Sequence, residues 1–302
     1  MAETAQMQKK EPSAASKATP KPGSRPDYAT LGGIGLALAG ILGGLLLEKG
    51  SIQDVAQGTA FMIVMGGTLG AVLVTTPLPI VLRAFKRLGS IFFESADSTS
   101  AAIETLIQLA AKARKNGIVS LETEADAITD PFLRKALNMA VDGTDLQEIR
   151  KLMENDISLS EYFAEAEARV WEAAGGYAPT IGIIGAVMGL IQVMKHLEDI
   201  KEVGHGIAVA FVATVYGVGS ANILFLPAAN KLKARMREAT LMKDMTLEGV
   251  VGIVEGLHPT LIRLKLEAYN PHPAKVGKSR KARAPEGAPK PKTAAQPAAA
   301  QI

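Results

Sequence analysis

Four stretches decide the architecture: Leu31–Leu47 (LGGIGLALAGILGGLLL), Phe61–Leu82 (FMIVMGGTLGAVLVTTPLPIVL), Ala178–Met194 (APTIGIIGAVMGLIQVM) and Gly206–Asn230 (GIAVAFVATVYGVGSANILFLPAAN). Each is close to carrying no ionisable side chain. A bilayer core of about 30 Å takes about 20 apolar residues per helix, so the layout reads as four membrane spans in two pairs. A hydrophilic stretch separates the pairs. Proteins that move a cation usually hold an intramembrane carboxylate, and these spans offer none. If the chain conducts ions, another subunit has to supply the group that carries them.

Working outward, the spans take about a third of the 302 residues and leave material for only a modest cytosolic core. The chain has no cysteine, which excludes disulfides and thiolate metal sites, and four scattered histidines make zinc or haem unexpected. His196 and His205 flank a turn with Glu198, Asp199 and Glu202. They lack H-x-x-x-H or H-E-x-x-H spacing, so a hydrated loop is expected rather than a metal site. Glu161, Glu165, Glu167 and Glu172 near Trp171 read as one amphipathic helix, not a catalytic carboxylate pair. No acid, base, nucleophile or metal cluster suggests an enzyme, and no cofactor is expected. Residues 1–26 are rich in Ala, Lys, Pro and Ser with no apolar h-region, so the first span is expected to be an uncleaved anchor.

Net charge is only +3 but uneven. Lys9, Lys10, Lys17, Lys21 and Arg25 precede the first span. Arg83, Lys86 and Arg87 follow the second, and Lys231, Lys233, Arg235 and Arg237 follow the fourth. The short turns 48–58 and 195–205 mix acids with few bases. The positive-inside rule therefore places both termini and the middle region in the cytoplasm. The tail beyond Pro271 carries Lys275, Lys278, Arg280, Lys281, Arg283, Lys290 and Lys292 against Glu286, in a composition that cannot bury a core. Nucleic acid is a conceivable partner for it; anionic lipid headgroups are the plainer one, and no nucleic-acid role is assigned.

The middle region reads as helical. Ile103, Leu106, Ile107, Ala110 and Ala111 give Ser98–Asn116 an apolar face that stops at Asn116-Gly117. Asp130-Pro131 caps a helix over Phe132–Val141, which ends at Asp142-Gly143. Asp145 with Glu148 resembles a capping box for Leu146–Glu154, and Ser158 with Glu161 repeats the signal for a further helix through Trp171. Lys231–Leu266 continues the fourth span as a basic amphipathic stretch. Strand signals are weak, and the fold class is all-α: a polytopic membrane protein with a helical cytoplasmic domain.

Lipid supplies little drive for helices to join, so close approach depends on small residues. Gly40/Gly44, Gly66/Gly70 and Gly185/Gly189 repeat small-xxx-small spacing in the first three spans, and Gly217 with Ala221 does so in the fourth. The repetition favours a packed oligomer, with packing inside one chain as the alternative. Pro179 and Pro227 each remove a backbone donor, leaving the Gly175 and Ile223 carbonyls without their usual partners. Pro179 can be a first-turn proline at no cost, whereas Pro227 lies deeper and is expected to bend its helix. Thr180, Thr214, Tyr216, Ser220 and Asn222 are available to line an interface or wet path; Thr214 and Ser220 can equally bond their own helix.

At this point the residues resemble a known family. Tyr177–Leu190 (YAPTIGIIGAVMGL) and His205–Pro227 (HGIAVAFVATVYGVGSANILFLP) are similar to the third and fourth membrane helices of the MotA/PomA flagellar stator subunits. Gly66–Ala71 (GGTLGA), Arg114–Glu122 (RKNGIVSLE) and Val141–Asp145 (VDGTD) resemble further motifs of that family, and the likeness covers about 28–266. It implies a homo-oligomer, a pentamer, in the bacterial inner membrane around a MotB-like single-span partner whose aspartate binds the permeating ion. It implies that the cytoplasmic domain turns the rotor switch protein FliG. Pro179 and Pro227 match prolines that couple the ion site to that domain. Sodium-driven relatives carry a threonine where this chain has Ala186, while Thr214 matches a threonine in the fourth helix; the implied ion is the proton. Rotor-contact candidates by similarity are Arg134, Lys135, Glu148, Arg150, Lys151 and Glu154, each of which can also be a solvated helix face.

The organisation expected is thus a disordered extension over 1–27, two spans over 28–83 and a cytoplasmic torque-generating domain over 84–175. Spans three and four follow over 176–230, a cytoplasmic helical region over 231–268 and a disordered basic tail over 269–302. A TolQ/ExbB-like energiser shares the last two spans and the borrowed aspartate but typically lacks the N-terminal hairpin. A gliding-motility energiser on the same scaffold and a passive scaffold are the other readings.

Overall fold

The computed structural model describes residues 25–94 and 99–270. The N-terminal extension before Arg25 and the basic tail after Asn270 lie outside the described residues. The chain opens with β1 (Arg25–Pro26), followed by α1 (Tyr28–Leu47), the short α2 (Ile52–Val55), α3 (Gly58–Thr75), α4 (Leu78–Leu88) and β2 (Phe93–Glu94). The helices α5 (Thr99–Asn116), α6 (Glu122–Ala127) and α7 (Pro131–Val141) come next. The long α8 (Leu146–Lys195), α9 (Ile200–Gly219), α10 (Leu226–Val254) and α11 (Pro259–Glu267) complete it. The fold is all-α apart from one two-residue ladder, in which Arg25 faces Glu94 and Pro26 faces Phe93 in antiparallel register.

Local chemistry explains most boundaries. Asp130 accepts from the Phe132 N–H at 2.9 Å and Asp145 from the Gln147 N–H at 2.8 Å, capping α7 and α8. Gly117 and Gly143, past the ends of α5 and α7, take φ of 82° and 75°, values that a side chain would strain. Among the described residues four helices are long and apolar enough to cross a membrane.

Two boundaries depart from the sequence expectation. The second span does not run from Phe61 to Leu82. Instead α3 ends at Thr75, Thr76 and Pro77 are extended, and α4 restarts the helix. Proline crowds the residue before it out of helical geometry, so Pro77 forces the break at Thr76. The capping signal at Ser158 does not start a helix, because α8 passes through it unbroken for 50 residues, about 75 Å. Met153, Ile157, Ala164, Ala168 and Trp171 keep one buried stripe across that position. Continuing the helix buries all of them, and this outweighs a local cap.

Three apolar clusters stack along the molecule. The one farthest from the spans joins Leu106, Leu137, Ile149, Met153, Met245 and Ile262 from five helices. Beside the spans Trp171 stacks on Phe225 (6.0 Å between centroids) and takes the edge of Phe85 (4.8 Å). A third, within the spans, holds Ala60, Val64, Val209, Val212 and Ala213.

The glycines divide sharply. A Cβ on Gly189 meets the Gly206 carbonyl oxygen and Ala210 nitrogen at 2.8 Å; on Gly185 it meets Ala213 Cβ at 2.8 Å, and on Gly182 the Ala213 oxygen at 2.9 Å. Backbones of α8 and α9 therefore touch within one chain. Gly40, Gly44, Gly66 and Gly70 have nothing within 4 Å, and no α1 residue is buried. Gly185/Gly189 serves intrachain packing, and in α3 the residue that meets α8 is Gly67, against Ile181. Gly189→Val is expected to lower the stability of the detergent-solubilised chain by about 1–3 kcal/mol through overpacking. Gly40→Val should leave it unchanged; melting temperatures of the two variants check both.

Candidate functional site

Below the glycine seam the third and fourth spans each carry a flaw. Pro179 lies inside continuous α8 and is not a first-turn proline, so the Gly175 carbonyl loses its usual donor. In the fourth span the missing Pro227 donor is met by a wider turn rather than a simple bend. Ser220–Phe225 is π-helical, and the Leu226 N–H reaches back to the Ala221 oxygen. The two flaws face one another: a Cβ on Gly175 would sit 2.6 Å from Leu226 Cδ2, one residue from Pro227. Pro227 itself is exposed and lines a crevice of about 350 Å³ between α1 (Ala29, Gly33, Ala37) and the fourth span (Asn222, Lys231).

The polar side chains of the spans are mostly spent on backbone. Thr214 donates to the Ala210 oxygen (3.3 Å), Ser220 to Gly217 (3.2 Å), Thr180 to Tyr177 (2.8 Å) and Asn222 to Val218 (2.9 Å). The Tyr216 hydroxyl donates to the Val55 carbonyl, accepts from the Gln57 N–H at 3.3 Å, and its ring meets the edge of Phe61. Tyr216 thus straps α9 to the first hairpin instead of lining a path. Ala186 is half-buried beside Gly185 and brings no oxygen. Buried Thr68 Oγ1 and Trp171 Nε1 have no hydrogen-bond partner. Among the described residues no His, Asp and Glu cluster is placed to hold a metal ion.

The charged candidates outside the spans split into spent and presented charges. Arg134 donates to the Ile128 carbonyl (Nε at 2.9 Å), and Lys135 pairs with Asp156 at 2.8 Å. Arg150 lies 3.5 Å from Glu248 and 3.8 Å from Glu154. Glu148 and Lys151 are exposed on α8. The motif around Arg114 reads from sequence as a helix end, and the fold makes it more. Arg114 and Lys115 are exposed with no ion pair among the described residues. Arg114 borders a cleft of about 400 Å³ with Gly143, Thr144, Gly256 and Leu257, where the ends of α5, α7 and α10 meet. Only the convergence of three helix ends reveals it.

Electrostatics around α10 oppose one another. Lys265 at 2.8 Å, then Arg150, hold the Glu248 carboxyl below its usual range. Burial, then the charges of Glu161 and Glu154, push Asp244 up. A raised folded value means that ionised Asp244 costs stability above it, and the cost vanishes as pH falls below the unfolded value of about 3.9. Asp244→Asn is therefore expected to raise the melting temperature at neutral pH and to give no gain at pH below that value; a pH series of melts tests this.

Comparison with known proteins places this geometry. Residues 31–117 match the Motility protein A N-terminal family model and residues 124–245 that of the MotA/TolQ/ExbB proton channel family. Motility protein A of Bacillus subtilis is 35% identical over 249 residues, 81% of this chain and 91% of that protein. Chemotaxis protein PomA of Vibrio alginolyticus is 32% identical over 243 residues, 80% of this chain and 95% of its own length. Among solved structures, the C. jejuni MotAB chain aligns at TM-score 0.79 and 34% identity, covering 82% of this chain and 98% of that one. The flagellar MotAB stator complex of Bacillus subtilis aligns at 0.75 and 34%, covering 81% and 96%. The overall arrangement of helices is thus that of the MotAB chains, and the chain belongs to the MotA/TolQ/ExbB proton channel family, on its motility protein A branch.

Proposed function

We propose that this chain is a stator subunit of the bacterial flagellar motor, which joins a MotB-like single-span partner and converts proton flow into torque. The observation that carries the reading is a deficit beside a hinge. No Asp, Glu, Lys or Arg occurs in 31–47, 61–75, 178–194 or 206–230, yet the third and fourth spans are weakened side by side at Gly175 and Leu226. The partner's aspartate supplies the ion seat, and its protonation and release flex spans three and four at Pro179 and Pro227. Unbroken α8 and α10 carry that flexing into the cytoplasmic domain, which bears on FliG. Five copies surround two partner chains in the inner membrane, with both termini in the cytoplasm.

Protons fit better than sodium. Sodium needs several oxygen ligands, Ala186 offers none, and Thr214 is bonded to its own helix. Swimming is then independent of sodium. The match of 31–117 to the motility N-terminal model favours a motor over a TolQ/ExbB-like energiser. On the rotor side, Glu148 and Lys151 are presented, and Arg114 and Lys115 join them as free charges at the domain's far end.

Vesicles holding the purified chain alone should be ion-tight, and vesicles holding it with a partner relieved of any plug should leak protons. Conductance from the chain alone overturns the borrowed-carboxylate mechanism. Pro179→Ala is expected to cut motility at least tenfold, the scale of about 1.4 kcal/mol in coupling, while co-purification with the partner survives. Motility counts and pull-downs from the same strain check it.

A further inference from the structure

The first span is the least explained part of the molecule. None of its residues is buried, and its six glycines have nothing within 4 Å, so lateral packing within its own chain does not hold it. It is held at its ends. At the outer end the hairpin after α1 is strapped to α9 by the Tyr216 hydroxyl on Val55 and Gln57. At the inner end Asp27, only 6% exposed, caps α1 through the Thr30 N–H (3.1 Å) and pairs with Lys231 (2.5 Å) and Arg235 (3.4 Å). Its own N–H donates to the Phe92 carbonyl at 2.9 Å.

Arg235 does more than neutralise a charge. Its guanidinium also donates to the carbonyls of Ser90, Ile91 and Phe93, so one side chain gathers the start of α1, the segment after α4 and the start of the cytoplasmic helix. A planar fork of five donors does this; a lysine ammonium has three and no fork. The two anchors lie on opposite sides of the flaw in the fourth span. Tyr216 precedes the π-helical turn Ser220–Phe225, while Lys231 and Arg235 follow Pro227 by one and two turns. Between the anchors α1 and the fourth span are separated by the crevice that Pro227 lines.

We propose that the first span is a strut bridging the Pro227 hinge, and that the Asp27–Lys231–Arg235 latch is its inner foot, positioning the cytoplasmic end of the fourth span. This rests on the coupling role given to Pro227 above. Flexing at Pro227 changes the angle between the seated α9 and the latched start of α10. A strut footed on both sides limits that angle and returns it after each step. With the foot cut, ions still pass, but the flexing is no longer turned into directed movement of the cytoplasmic domain.

The test uses cells carrying the full chain with its native partner, comparing Asp27→Asn, Arg235→Lys and the charge-keeping Asp27→Glu. Three readouts are taken: stall torque of tethered cells, proton leak with an unplugged partner, and co-purification with the partner. Taking the charge from buried Asp27, or the fork from Arg235, is expected to cut torque at least about fivefold, while leak and co-purification stay within about twofold of wild type. Asp27→Glu, which keeps a carboxylate for Lys231 and Arg235, should keep at least about half of the torque. Normal torque in Asp27→Asn, or a parallel fall of torque, leak and co-purification, overturns the latch and leaves an assembly role. A loss of torque in Asp27→Glu as deep as in Asp27→Asn overturns the pairing. A wild-type complex that passes no protons overturns the energising reading and the strut's purpose together; wild-type leak with unaltered variants overturns the strut alone.

Discussion

Backbone lies on backbone where α8 meets α9, at Gly182, Gly185 and Gly189 against Gly206, Ala213 and Gly217, and the other features of the membrane region take their places from that contact. Lipid tails are as apolar as leucine, so two helices gain by meeting only when they approach closely enough for dispersion to count. Removing every side chain along one line permits that approach. The outer halves of spans three and four become one body, and the proline flaws lie just below its inner end, facing each other. The seam also excludes a charge from its interior, because no carboxylate fits where a methyl group does not.

Fixed charge lies outside the spans, and its value depends on burial. Exposed pairs such as Arg169 with Glu165, or Arg263 with Glu104, add little because water and salt screen them. Asp27 differs. It is buried, with Lys231 and the Thr30 N–H holding its carboxyl well below the usual range, so it stays ionised throughout the physiological interval. Arg87 with Glu167 and Lys233 with Glu172 add two more ties at the same level, around the Trp171 cluster. The region beside the spans is thus a dense joint from which α8 runs without interruption to the core around Met153. A continuous helix transmits displacement because bending it costs many backbone hydrogen bonds at once.

Local chemistry was readable wherever its effect is local. Asp130, Asp145, Gly117 and Gly143 mark their helix ends in the chain as they do in space, since caps and positive-φ glycines act within four residues. Ser158 misleads for the complementary reason: a cap is worth about 1 kcal/mol, and the stripe from Met153 to Trp171 buries more than that. Tyr216 looks like a path-lining group until Val55 and Gln57, some 160 positions earlier, arrive at its hydroxyl. Arg134 and Lys135 look free until Ile128 and Asp156 occupy them, while Arg114 acquires its cleft from three helix ends distant in sequence.

Four membrane crossings, their capped cytoplasmic helices and the missing intramembrane charge follow from the order of residues, because hydropathy and capping are properties of short windows. Which glycines touch a neighbour, and which stand open, does not. Gly40/Gly44 and Gly185/Gly189 have identical spacing, yet only the second pair finds a partner, and the folded chain alone chose it. The same holds for Asp27, whose meaning comes from Lys231 and Arg235 more than 200 positions away. Partner choice is a property of assembled distances, and those exist only once the helices have packed.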